Sequence, residues 1–130
     1  MILQYISTLI PLIALDGVWL TLNKGFYARE LGALFAPKVL LTPVVIFYLL
    51  YAVGILYFVV HPGVVNATSL LKVFLIGGFL GFIGYSCYDL TNYATIKDWS
   101  PLLTVVDLAW GTFVTGATSV LAVVLIRFFL

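Results

Sequence analysis

Hydrophobic residues run through this chain in four long stretches, at about residues 2–22, 42–60, 70–93 and 101–129. Each is close to or above the roughly 20 residues that a helix needs to cross a hydrocarbon core. The pattern predicts an all-α membrane protein: four transmembrane helices in one bundle spanning residues 1–130 as a single domain. Pro11 lies inside the first stretch, where it removes a backbone donor and leaves the Ser7 carbonyl free. Pro43 falls in the first turn of the second, where proline is tolerated. Ser100-Pro101 opens the fourth as a cap followed by proline at the first helical position.

The connections are short apart from the first, Lys24 to Lys38. Phe26, Tyr27, Leu31, Leu34 and Phe35 recur there at helical spacing beside Arg29 and Glu30. This predicts a short amphipathic helix in the membrane interface. A plain loop is the alternative, because Gly25, Gly32 and Pro37 leave little uninterrupted helix. The second connection, His61 to Ser69, reads as a turn around Pro62-Gly63. In the third run, Gly77, Gly78, Gly81 and Gly84 form a small-residue face, with Gly77 and Gly81 in helix-contact spacing. Gly111, Thr115 and Ser119 continue such a face in the fourth.

Composition strengthens the membrane reading. The chain is 64% hydrophobic and only 8% charged, against roughly 25% charged in soluble domains. So few charges cannot cover a water-facing surface. The net charge of +1 excludes nucleic acid as a partner, since no basic patch exists to neutralise phosphates. The lipid bilayer is the partner that composition implies, with a homodimer or a larger membrane complex open beside it. Cys87 is the only cysteine, so no internal disulfide and no metal-binding cysteine pair can form. It reads as a small buried hydrophobe. Lys24, Arg29, Lys38 and Lys97 mark one side, Lys72 and Arg127 the other. The positive-inside rule then puts both termini outside the cytoplasm.

Against this background the carboxylates stand out. Asp16, Asp89 and Asp107 all lie inside hydrophobic runs. Charge in hydrocarbon is costly unless it faces a protein interior, a partner or water. Asp16 lies eight residues before Lys24, Asp89 eight before Lys97, and Asp107 ten after it. At about 1.5 Å per residue all three fall within roughly 15 Å of the same boundary. The expectation is one polar layer, flanked by Trp19, Asn92 and Trp110 at i+3 from each aspartate, with Thr104 nearby. Tyr85 and Asp89 can touch at i,i+4, with Tyr88 next to them. Tyr48 and Tyr51 of the second run read either as donors to the carboxylates or as aromatic packing. The two Asp-x-x-Trp units lie on antiparallel helices and do not indicate an internal repeat.

Such a layer has three physical solutions. Carboxyl groups share protons, they share a cation such as Mg²⁺, Ca²⁺ or Na⁺ among Asp16, Asp89 and Asp107, or they line a wet cleft. A purely structural role, locking helices together, is the remaining alternative. The function classes that follow are binding or transport of a small or lipidic ligand, with proton or cation coupling; acid/base catalysis on a lipidic or isoprenoid substrate; and an accessory subunit of a larger complex. No nucleophile–base pair or histidine cluster appears, and no cofactor is implied.

Leu15-Asp-Gly-Val-Trp19, Lys24-Gly-Phe-Tyr27, Phe47-Tyr-Leu-Leu-Tyr51, Tyr88-Asp-Leu-Thr-Asn92 and Val106-Asp-Leu-Ala-Trp110-Gly together carry a resemblance. The chain resembles the small bacterial inner-membrane proteins grouped as domain of unknown function 2177. The resemblance spans nearly the whole chain. It implies a four-helix, multi-pass protein of the bacterial inner membrane, and it implies no particular activity.

Overall fold

A computed structural model describes all 130 residues. It is helical throughout, without strands. Helix α1 is Ile2–Leu22, α2 is Lys24–Leu31, α3 is Leu41–Val65, α4 is Leu70–Thr95 and α5 is Pro101–Phe129. Four of these, all but α2, are long and apolar enough to cross a membrane. Helix α2 ends at Gly32, whose positive φ of 53° begins a 3₁₀ turn, Gly32–Leu34. The first connection is thus helical for most of its length, despite its glycines.

Helix α5 is the axis of the bundle. It buries twelve residues against four on α1, the largest share of any helix. It packs along α4 over their whole antiparallel length and against α1 on another side. Glycine makes the α4–α5 seam possible. A Cβ on Gly81 would strike the Gly111 carbonyl oxygen and the Thr115 side chain. A Cβ on Gly111 would overlap the Tyr85 ring. Among lipid tails, helices associate through such close approach, because apolar burial itself offers no gain over lipid. Ser100 caps α5 as its sequence suggests, its Oγ accepting from the Leu103 N–H at 3.0 Å.

Helix α3 departs from the expectation that it ends near Val60. It runs through His61-Pro62 to Val65. The physical reason is a π turn over Leu56–Val60, in which the His61 N–H reaches the Leu56 carbonyl. The wider turn makes room for the Pro62 ring, which clashes with the preceding turn in a regular helix. His61 is therefore helical rather than part of a turn, and its Nδ1 lies 3.1 Å from Gln4 Oε1 on α1. The turn itself shrinks to Asn66–Ser69, with Ala67 at a positive φ of 50°.

Packing along α3 is uneven. Its buried residues are Ala52, Ile55, Leu56, Val59, Val60 and Gly63, with none before Ala52. The first part, Leu41–Ile55, leans chiefly on α1, and α3 meets α4 mainly from the π turn onward, where Gly63 faces Val73. Helices α3 and α4 therefore diverge toward the end of the bundle that carries α2. Cys87 also corrects an expectation. It is exposed on the outer face of α4, because a helix facing lipid is apolar on that face too.

Candidate functional site

The site lies at the α2 end and is built from all five helices. Asp16, Asp89 and Asp107 are 6%, 0% and 7% exposed, so all three are interior groups. Their surroundings differ. Asp16 Oδ1 accepts from Trp110 Nε1 at 2.8 Å, and its Oδ2 accepts from the Tyr48 hydroxyl. One carboxylate on α1 thus ties α5 and α3 together. Asp107 Oδ1 accepts from the Tyr27 hydroxyl at 2.6 Å. That hydroxyl in turn accepts from Trp19 Nε1 at 3.0 Å. Asp89 has no hydrogen-bond donor on either oxygen. Its carboxyl group lies against that of Asp107.

The two Asp-x-x-Trp units cross over. Trp110 of α5 serves the α1 aspartate, while Trp19 of α1 serves the α5 aspartate through Tyr27. The two indoles stack between them, with centroids 4.4 Å apart and planes 7° from parallel. Helical spacing brings Asp and Trp to the same face of each helix, and antiparallel packing then lets each indole reach across. The stack separates Asp16 from the Asp89–Asp107 pair. No three acidic, cysteine or histidine side chains gather closely enough in this arrangement to hold a metal ion.

The remaining residues fall around this core. Tyr48 joins Asp16, whereas the Tyr51 hydroxyl lies 2.6 Å from Thr115 Oγ1 and touches no carboxylate. The Tyr85 ring covers Gly111, and Tyr88 sits edge-on to the buried Trp99, with centroids 5.9 Å apart. Asn92 is half-buried and hydrogen-bonds none of the three aspartates. Trp99 Nε1 donates to Thr104 Oγ1 at 3.0 Å, which engages Thr104 away from the aspartates.

Between the diverging parts of α3 and α4 lies a half-open cleft of about 450 Å³. Phe47 and Tyr51 form one wall, Gly84, Tyr85 and Tyr88 the other, and Asp107 reaches it from α5. Gly84 therefore lines an open space and is not part of the tight seam; a Cβ there would meet only the Tyr51 ring, at 3.7 Å. No Lys or Arg lines the cleft. The one ion pair, Arg29 Nε to Glu30 Oε2 at 3.6 Å, lies on α2 and leaves the three aspartates without a cationic partner.

Tyr27 is the site residue that sequence reasoning missed. Its spacing with Phe26, Leu31, Leu34 and Phe35 reads as an apolar helix face, yet its hydroxyl bridges Trp19 and Asp107. Burial, then its hydrogen bond to Asp107, push its hydroxyl well above the usual tyrosine range, so it remains a donor. Glu30 Oε1 accepts from Ser100 Oγ at 2.8 Å and fixes the other end of α2. The signal available was position: Tyr27 lies eight residues after Trp19, two turns along a nearly continuous helical path.

The class is now defined: a multi-pass helical membrane protein with a polar interior of aspartate, indole and phenol groups beneath a lateral cleft. The chain belongs to the family described as "Predicted membrane protein (DUF2177)", which matches residues 1–124. No curated protein and no solved structure matches it.

Proposed function

We propose that this protein binds a lipid-borne ligand in the cleft between α3 and α4, with the ligand's polar group at Asp107 and its apolar part toward the bilayer. The observation that carries this reading is the cleft: aromatic walls, one carboxylate, and an opening on the side where the helices diverge. Its volume of about 450 Å³ falls in the usual range for small-molecule sites. Phe47, Val45, Leu50 and Phe82 are exposed along the diverging helices and offer an apolar approach from lipid. The Asp89–Asp107 pair is where a proton or cation would couple to binding or transport, since two facing carboxyl groups repel unless they share positive charge.

The same reading sets the protein in the bacterial inner membrane with the α2 end in the cytoplasm, and the distribution of basic residues supports it. Lys24, Arg29, Lys38 and Lys97 at that end outnumber Lys72 and Arg127 at the other. A phosphatase that is active only in the periplasm, fused after Leu130, should then be active; an inactive fusion reverses the orientation.

The cleft reading is tested with Gly84→Phe, which fills the space facing Tyr51 without touching the seam. Protein purified in mild detergent and extracted with organic solvent should carry a stoichiometric lipid in the wild type and lose it in the variant. Identical lipid content in both would remove the reading. Recovery of a chemically altered lipid after incubation would favour the catalytic alternative over simple binding.

A further inference from the structure

We infer that the cleft selects an amphiphilic amine: a protonated primary or secondary ammonium on a hydrocarbon tail. The nitrogen sits at Asp107 and the tail leaves between α3 and α4. The inference rests on the cleft reading above and adds the chemistry of the head group.

Three observations converge on it. The first is the wall. Phe47 and Tyr51 stack with centroids 5.1 Å apart, and Tyr51 meets Tyr85 edge-on at 6.3 Å. Tyr88 adds a fourth ring. Aromatic faces attract an organic cation, the more so where water is excluded. The second is the charge. Asp107 is the only carboxylate in the lining, and no Lys or Arg is there to receive an anionic head group. A phosphate or carboxylate head would meet only like charge.

The third observation separates one cation from another. Donors are shared unevenly among the three carboxylates: Asp16 receives two, Asp107 one and Asp89 none. Asp89 is wholly buried, neither of its oxygens receives a donor from the chain, and its carboxyl group lies against that of Asp107, which reaches the cleft. A buried acceptor left without a donor is costly. A primary ammonium brings three N–H donors and a positive charge, which meets both deficits at once. A quaternary ammonium brings the charge and no donor. A long-chain alcohol brings a donor and no charge.

The test uses dodecylamine, dodecyltrimethylammonium and dodecanol as probes, titrated at pH 7 against the full chain in a neutral detergent. Dodecylamine should bind about tenfold or more tighter than dodecanol, with dodecyltrimethylammonium between them. Asp107→Asn should erase the preference for amine over alcohol. Asp89→Asn should narrow the gap between amine and quaternary ammonium. A wild-type-like elution profile and thermal unfolding in the same detergent show that each variant is folded. Asp98→Asn, in the exposed loop outside the cleft, should change nothing. Equal binding of amine and alcohol, both lost in Gly84→Phe, overturns amine selection and leaves the cleft reading standing. A quaternary ammonium that binds as tightly as the amine overturns the role of N–H donors. Probe binding that Gly84→Phe leaves untouched overturns both readings.

Discussion

The two ends of this bundle solve the same problem differently. At the end away from α2, Ile55, Val60, Val73, Ala122 and Val123 interlock with almost no exposure. Gly63 lets α3 approach closely, such that a Cβ there would come within 3.2 Å of Val73 and 3.5 Å of Val123. Arg127 Nη2 seals this end by donating to the Gly63 and Thr68 carbonyls at 2.9 and 2.6 Å. At the α2 end, aromatic rings and carboxylates replace small aliphatic residues, and α3 stands away from α4. Lipid explains why the contrast is tolerated. Apolar surface in a bilayer gains little from being covered by protein, so helices hold together by close packing and polar contacts. An end that gives up close packing can open to lipid at little cost, provided hydrogen bonds keep its helices in register. Tyr48 to Asp16 and Tyr51 to Thr115 do this for α3.

Glycine offers the sharpest way to break the comparison. Gly81→Leu is expected to destabilise the protein by about 3 kcal/mol or to prevent folding, because its Cβ falls on the Gly111 backbone and neither helix can yield without moving the other. Gly84→Ala, three residues on, should change stability by no more than about 0.5 kcal/mol, because its Cβ makes only ordinary contact with the Tyr51 ring. Thermal unfolding in detergent reads both. A loss at Gly84 matching that at Gly81 would mean that α3 packs tightly on α4 at the α2 end as well.

Aliphatic truncation sharpens the same contrast at smaller scale. Ile55→Ala, at a fully buried position, should cost about 2 kcal/mol through lost packing. Leu50→Ala, at a position 66% exposed on the splayed half of α3, should stay within about 0.5 kcal/mol. Denaturant unfolding of the pair gives the comparison directly. A cost at Leu50 matching that at Ile55 would show that something covers the outer face of α3.

How far the sequence could be read follows from the same physics. Run length and hydropathy are enough to find four spans, since the bilayer demands them. Ser100-Pro101 could be placed because capping is local chemistry. Counting from Lys24 and Lys97 to the aspartates compares depths, and depth is what a regular helix preserves. Partners are another matter. Spacing puts Trp19 beside Asp16, but the indole turns to Tyr27. It leaves Tyr51 open between carboxylate and packing, and the hydroxyl meets Thr115 instead. Which helix stands opposite decides these contacts, and that is a property of the bundle. Cys87 was misread because apolarity marks burial only where the solvent is water. Pro62-Gly63 reads as a turn in the sequence, yet a π turn absorbs the proline within α3, and the sequence carries no plain mark of that turn.

The smallest expected effect concerns α2, which joins the open end through single hydrogen bonds. Tyr27→Phe keeps the ring and removes the donor to Asp107 and the acceptor for Trp19. Polar contacts between membrane helices average about 0.6 kcal/mol, so global stability should fall by less than about 1 kcal/mol. Local opening should respond more clearly. Hydrogen exchange across Lys24–Leu31 should quicken severalfold, while exchange across Ile55–Val60 stays unchanged. The pH dependence has a definite sign. The Tyr27 hydroxyl is raised from its ordinary value of 10.0 by burial, then by Asp107. Its contribution is therefore fully present below about pH 10 and is lost only in strong base, as pH rises through the folded-state value. In wild type, exchange protection of α2 should hold from neutral to mildly alkaline pH once intrinsic exchange rates are corrected for. Protection that fades between pH 7 and 9 would mean that α2 is held by some other group, and that the open end is closed by a contact other than Tyr27.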